Sequence, residues 1–255
     1  MPYQKQIINA IKTGMSNACR AMYSFTDEPA LAFNAEYLFT VSTANAINEH
    51  NYVPAHSYEI RIEHSTKKFA RDCLPPFKFG TKMVRGSNKL RSKVPPKIER
   101  NGRIDIAVYY DAPKSRYLGR QPLCAIELKG FDPARKLVMD DLRRNLELMR
   151  VSGNTGNSVL EFATFAALHE RPAPKDLSEA MACGAEIKTK YQGWLAGLGQ
   201  RNDVVETIET FTVSWDPHGT ITEEAEELVI DKSTRHYFIG VIVTFSRPAA
   251  VPGKL

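Results

Sequence analysis

Apolar and polar residues recur along this chain with two different periods, and the switches between them mark out its elements. Ile7, Ile11, Met15, Ala18 and Met22 return every three to four positions, which predicts an opening helix with one buried face. A turn is expected around Asp27, Glu28 and Pro29. A second helix follows over about 30–50, with Phe33, Tyr37, Val41, Ala44 and Ile47 at helical spacing and Glu36 the one acid well inside it. Over 57–64 the period drops to two. Tyr58, Ile60 and Ile62 alternate there with Glu59, Arg61 and Glu63, the pattern of a half-buried strand.

Three further stretches come in quick order. Residues 103–110 (RIDIAVYY), entered through Asn101-Gly102, read as a strand, and 123–129 (LCAIELK) as another that is almost wholly apolar until Glu127. Asp132-Pro133 then offers an N-cap and a first-turn proline to a helix whose inner face is Val138, Leu142, Leu146 and Met149. A strand over 159–167 completes the order α-β-β-β-α-β. A helix over 176–198 and two long strands over 204–215 and 236–245 follow, and the end from Arg247 onward is expected to fray. There is no internal repeat. The chain therefore reads as one domain over 1–255, with a core at 30–169 and a C-terminal extension at 170–246.

Composition narrows the class without changing that picture. In 255 residues, 43% hydrophobic and 25% charged is the balance of an ordinary globule, which excludes disorder, collagen and a disulfide scaffold. Cys19, Cys73, Cys124 and Cys183 are far apart, as suits free thiols in a reducing compartment. The longest apolar run, 238–245, is far short of a bilayer span. No membrane association is expected, and the cytoplasm is the expected location.

Charge changes the picture more. The net charge is +5, but twelve lysines and arginines fall between Lys67 and Arg103, against two acids, Asp72 and Glu99. Pro75-Pro76, Gly80, Gly86 and Pro95-Pro96 break that stretch, so a loop or flap with short elements is expected over 65–102. Two readings stay open: a stripe that attracts a polyanion, nucleic acid above all, or a solvated loop. Near the other end Glu223, Glu224, Glu226, Glu227 and Asp231 form an acidic run.

The candidate chemistry lies in the second and third strands. Alternate strand residues share a face, so Glu127 and Lys129 project together, about 6.6 Å apart. If the two strands form a hairpin, Asp105 can sit beside Glu127. Two carboxylates that close repel unless a cation intervenes, and a hard divalent ion such as Mg²⁺ binds well to one or two carboxylates plus phosphate and water. Glu-x-Lys alone is a weak signal, and Glu186-Ile187-Lys188 is a second copy inside an expected helix. An exposed ion pair between Glu127 and Lys129, or pairing of Asp105 with Arg103 or Arg120, is the plain structural alternative. The basic residues of the helix after Lys129 (Arg135, Lys136, Arg143, Arg144, Arg150) alternate with Asp140, Asp141 and Glu147, which fits phosphate contacts or a solvated face.

The segment R-I-D…A-I-E-L-K in this element order resembles the PD-(D/E)xK nuclease superfamily, over roughly 30–169, with Ile104 where many members carry proline. The resemblance implies an α/β (α+β) fold: a restriction-endonuclease-like αβββαβ core, a mixed central sheet flanked by helices, and a C-terminal helix and strand extension. It implies Asp105, Glu127 and the Leu128 backbone carbonyl as ligands of Mg²⁺, for which Mn²⁺ substitutes. It also implies Lys129 as the catalytic lysine and Glu36 as a further site residue on the first core helix. The expected function is metal-dependent hydrolysis of phosphodiester bonds, in DNA ahead of RNA. Lys67, Lys68, Lys82, Arg85, Lys89, Arg91 and Lys93 are the expected nucleic-acid contacts, and a homodimer is a candidate assembly. The rivals are an inactive nucleic-acid-binding or assembly protein that keeps the fold, and a structural protein whose basic loop binds an acidic partner chain.

Overall fold

Strand alternation and helical stripes resolve into one six-stranded sheet with helices on both of its faces. The structure is a computed structural model, and it describes residues 2–25, 36–52, 58–76, 96–110, 121–224 and 227–248. The helices among these residues are α1 (Pro2–Phe25), α2 (Glu36–Asn48), α3 (Thr66–Asp72), α4 (Arg135–Arg150) and α5 (Leu177–Ala196). The sheet contains β1 (Tyr58–Ser65), β2 (Arg103–Tyr110), β3 (Gln121–Phe131), β6 (Phe162–Arg171), β7 (Val205–Asp216) and β10 (His236–Ser246). Two small hairpins, β4 (Ser152–Gly153) with β5 (Gly156–Asn157) and β8 (Thr220–Glu224) with β9 (Glu227–Asp231), stand apart from it.

The strand order is β1-β2-β3-β6-β10-β7. Every neighbouring pair is antiparallel except β3 with β6. A parallel pair cannot be closed by a tight turn, and α4 makes the crossover that it needs. The fold is thus mixed α/β, and from α2 to β6 the expected order is present, with the short α3 added after β1 and the β4–β5 hairpin before β6.

Each face of the sheet has its own core. Val138, Leu142, Leu146 and Met149 of α4 pack with Ile187, Tyr191 and Leu195 of α5 on one side. Ile7, Ile11 and Met15 of α1 and Phe39 and Ile47 of α2 cover Ile106, Ile126, Leu128 and Ile242 on the other. Each such side chain contributes roughly 1.5–3 kcal/mol by leaving water. Middle strands feed both cores, which is why 123–126 reads as a continuous apolar run rather than an alternating one.

Several local expectations are corrected. The inner face of α2 consists of Phe39, Thr40, Thr43, Ala44, Ala46 and Ile47, while Tyr37 is 64% exposed. The face is rotated because α1 comes very close at Gly14, and only small residues fit there. A Cβ at Gly14 would run into Thr43 Cα and lie 2.7 Å from Thr43 N. Gly14→Ala is therefore expected to push the two helices apart and destabilise the protein by about 1–3 kcal/mol; urea unfolding of the variant measures this.

Asp132 does not cap α4. That helix starts behind Ala134 without a side-chain cap. Asp132 instead takes a left-handed conformation (φ 43°), and its carboxylate bonds His169 Nδ1 at 2.6 Å and the Glu170 amide at 3.1 Å. Buried His169 also meets the Tyr191 hydroxyl at 3.1 Å, so the β3 and β6 ends are tied to α5. β6 starts later than expected because the Val159 amide bonds the Cys73 carbonyl at 2.7 Å rather than a strand neighbour. Arg247 is anchored, with its guanidinium bonding the carbonyls of Leu160, Met149 and Ser158. The expected flap opens with helix α3, part of the acidic run forms β8 and β9, and residues 77–95 lie outside the described set.

Candidate functional site

The register of β2 and β3 places the first two acids. Ile106 faces Ile126, and continuing that antiparallel pairing sets Asp105 against Glu127 on the face that α4 covers. The ladder ends at this point because the Asp105 carboxylate takes over the next donor: Leu128 N donates to its Oδ2 at 2.6 Å. Asp105 is 9% exposed and Glu127 1%. Lys129 follows on the same face as Glu127, at the end of the apolar run.

Lys129 gathers the remaining acids. Its Nζ donates to Glu36 Oε1 at 2.6 Å and to the Leu128 carbonyl at 3.2 Å, and it lies 3.4 Å from Asp141 Oδ2. Glu36 opens the described part of α2, and it reaches the site from the layer on the opposite face of the sheet. Asp141 comes from α4, and so does Arg144. Arg144 Nη1 donates to Glu127 Oε1 at 2.7 Å and to the Arg103 carbonyl at 3.1 Å, while Nη2 lies 3.4 Å from Asp141 Oδ1. Glu36, Lys129, Asp141, Arg144 and Glu127 thus form a chain of alternating sign, with Asp105 beside it. Four carboxylates share two cations, so the ionised cluster carries an excess of two negative charges.

That excess shows in the titration of its members. Burial pushes the Asp105 carboxyl up to about 6; the Leu128 amide and Lys129 oppose the rise, while Glu36 and Asp141 add to it. Burial also drives Glu127 well above the usual carboxylate range, helped by the charges of Asp141 and Asp105 and resisted by Arg144. Asp141 is raised by burial against the pull of Lys129 and Arg144. For Lys129, burial disfavours the ammonium, but Asp141 and Glu36 outweigh it and hold the group above its ordinary value. Lys129 is therefore a cation at neutral pH.

The expected quartet of Asp105, Glu127, Lys129 and Glu36 is brought together, and the Leu128 carbonyl accepts from Lys129 at its edge. The exposed Glu127–Lys129 pair is absent, since each has a separate partner. Glu186 and Lys188 of the second Glu-x-Lys lie exposed on α5. Of the expected nucleic-acid contacts, Lys67 and Lys68 are exposed on α3, whereas Lys82, Arg85, Lys89, Arg91 and Lys93 lie outside the described residues. The far end of the basic stretch is fixed to α4, with Arg100 Nη1 2.7 Å from Asp140 Oδ1 and the Arg100 amide 3.3 Å from Glu147 Oε2.

Asp141 and Arg144 are site residues that the sequence reading placed on an undecided helix face. A signal was present: Asp141 follows Val138 by three positions and Asn145 follows Asp141 by four, so both border the apolar stripe. Asp141 and Asn145 are both buried, at 5% and 0% exposure.

Among the described residues no three His, Cys, Asp or Glu side chains form a group that could hold a metal ion. An all-protein cage therefore does not fit. Two carboxylates with an uncompensated negative charge do fit the way Mg²⁺ binds when it shares its shell with phosphate and water. No family model matches the chain, and neither a curated protein nor a solved structure matches it.

Proposed function

We propose that this protein is a Mg²⁺-dependent nuclease that hydrolyses phosphodiester bonds, in DNA ahead of RNA, on a core of the PD-(D/E)xK type. One observation carries the reading: Asp105, Glu127, Lys129 and Glu36, drawn from three separate elements, converge in a partly buried cluster with more negative than positive charge. The order α-β-β-β-α-β and the interruption of the apolar run of β3 at Glu127 support it as well.

Asp105 and Glu127 would hold the metal, which when bound supplies Lewis acidity and a water of lowered pKa. Lys129 keeps its proton, so it orients the attacking water or stabilises charge on the phosphate rather than accepting a proton. Glu36 and Asp141 fix the direction of its ammonium. Lys67 and Lys68, at the start of the basic stretch, are exposed for backbone contacts, which set position without reading sequence and weaken steeply with salt. The proposed setting is the cytoplasm, where the four unbonded cysteines, three of them buried, would stay reduced.

The test is a Mg²⁺ and Mn²⁺ titration with plasmid, linear duplex and single-stranded DNA. Cleavage is expected to require metal, to stop with chelator, and to vanish in Asp105→Ala and Glu127→Ala while DNA binding persists. Equal cleavage by wild type and both variants would remove the assignment. The ion pairing of Glu127 with Arg144 favours a second reading, a nucleic-acid-binding protein that keeps the fold but not the chemistry. Metal-independent DNA binding with no product from any substrate selects that reading.

A further inference from the structure

Arg144 pairs with Glu127, one of the two acids that the nuclease reading gives to the metal. It lies between Glu127 and Asp141, at 2.7 and 3.4 Å, and those two acids come from different elements. Its hydrogen bonding is incomplete, because Nε is buried with no partner. Asp141 Oδ2, in a residue only 5% exposed, has the Lys129 ammonium at 3.4 Å but no well-aligned hydrogen bond. Arginines that serve structure in this protein look different. Arg150 makes a two-pronged pair with Asp203 at 2.7 and 2.6 Å, and Arg247 bonds carbonyls through both Nε and Nη2. Arg144 has two acids and the Arg103 carbonyl around its Nη atoms and nothing on Nε. A partly satisfied buried network is a costly arrangement for structure alone. The side chain is 17% exposed, so one side of it opens to solvent.

We infer that the Arg144 guanidinium is a displaceable internal counter-ion, occupying the cation position between Glu127 and Asp141 and competing with the divalent metal for Glu127. The inference rests on the nuclease reading and gives Arg144 a positioning role within it. Once released, Arg144 becomes a planar cation at the rim of the site, suited to a phosphate oxygen pair. The exchange also prevents the two acids from facing each other uncompensated before metal arrives.

Calorimetric titration of Mn²⁺ into the DNA-free full-length chain tests this apart from cleavage. Arg144→Gln is expected to bind Mn²⁺ about tenfold more tightly than wild type, because the competing charge is gone. Arg144→Lys should fall between the two, and should recover part of the kcat that the Gln variant loses. Circular dichroism checks that each variant is folded, and the Lys variant carries the test if the Gln variant is not. Mn²⁺ affinity unchanged or weaker than wild type in a folded variant overturns the inference and leaves the nuclease reading standing. Absence of Mn²⁺ binding in wild type and variants alike also overturns the inference, and the cleavage titration with DNA then decides the nuclease reading by itself.

Discussion

Lys129→Met is expected to lower metal-dependent cleavage by about 10³-fold or more, within the range that positioned charges and proton-transfer groups contribute. Methionine keeps the length and apolar stem of lysine, so the change isolates the ammonium. The group touches Glu36 at 2.6 Å and Asp141 at 3.4 Å, and without it four carboxylates remain against Arg144 alone. The buried acids answer by taking up protons, which further weakens the site as a cation binder. Folding should suffer less than catalysis. Glu36 is 45% exposed, so water screens its half of the pair and the loss is on the order of 1 kcal/mol. Plasmid-nicking rates, DNA-binding curves and thermal unfolding read the three quantities separately. A Met variant retaining a tenth or more of wild-type cleavage sinks the role given to Lys129.

Asp105→Asn should also lose cleavage, but with stability gained. The folded carboxyl titrates at about 6, against 3.8 for the ordinary group. Between those values the folded state binds more protons than the unfolded one, so wild-type stability falls as pH rises through that window and stays lowered above it. Asparagine removes the charge and still accepts from the Leu128 amide through its Oδ1. At pH 8 in chelator the variant should exceed wild type by roughly 2–3 kcal/mol, and the two should converge below pH 4. Urea unfolding across pH 4–8 measures the difference. A variant less stable than wild type at pH 8 contradicts the electrostatic account of the cluster. The gain follows from the site itself, since a cluster short of positive charge before metal binds is stabilised by losing one of its acids.

The parts of this protein that were legible in its sequence are those set by local period. The opening helix, β2 and the apolar face of α4 follow from spacing alone, and so does the pairing of Asp105 with Glu127 once the two strands are taken as neighbours. Tertiary approach decided the rest. The rotation of α2 depends on Gly14 lying against Thr43, a contact between separate helices that no period in either one records. Asp132 has the chemistry of an N-cap, but His169, 37 positions later, competes for the same carboxylate. Asp141 and Arg144 look like ordinary surface charges until β3 is laid beneath their helix. Glu36 enters through resemblance to a family rather than through pattern, because its partner Lys129 is 93 residues away.

Strand β10 lies between β6 and β7, which gives the order of synthesis a physical meaning. A growing polypeptide has already made every residue of the proposed site by the time Arg144 is added, yet the sheet beside it is still split. Until 236–246 emerges, β6 presents an open edge, and β7 lacks the neighbour that holds it in the sheet. Open edges recruit stray strands from other molecules. Strand β10 therefore acts as a keystone: the nascent chain carries its charged cluster early, and its sheet closes between β6 and β7 only when that strand slides into place.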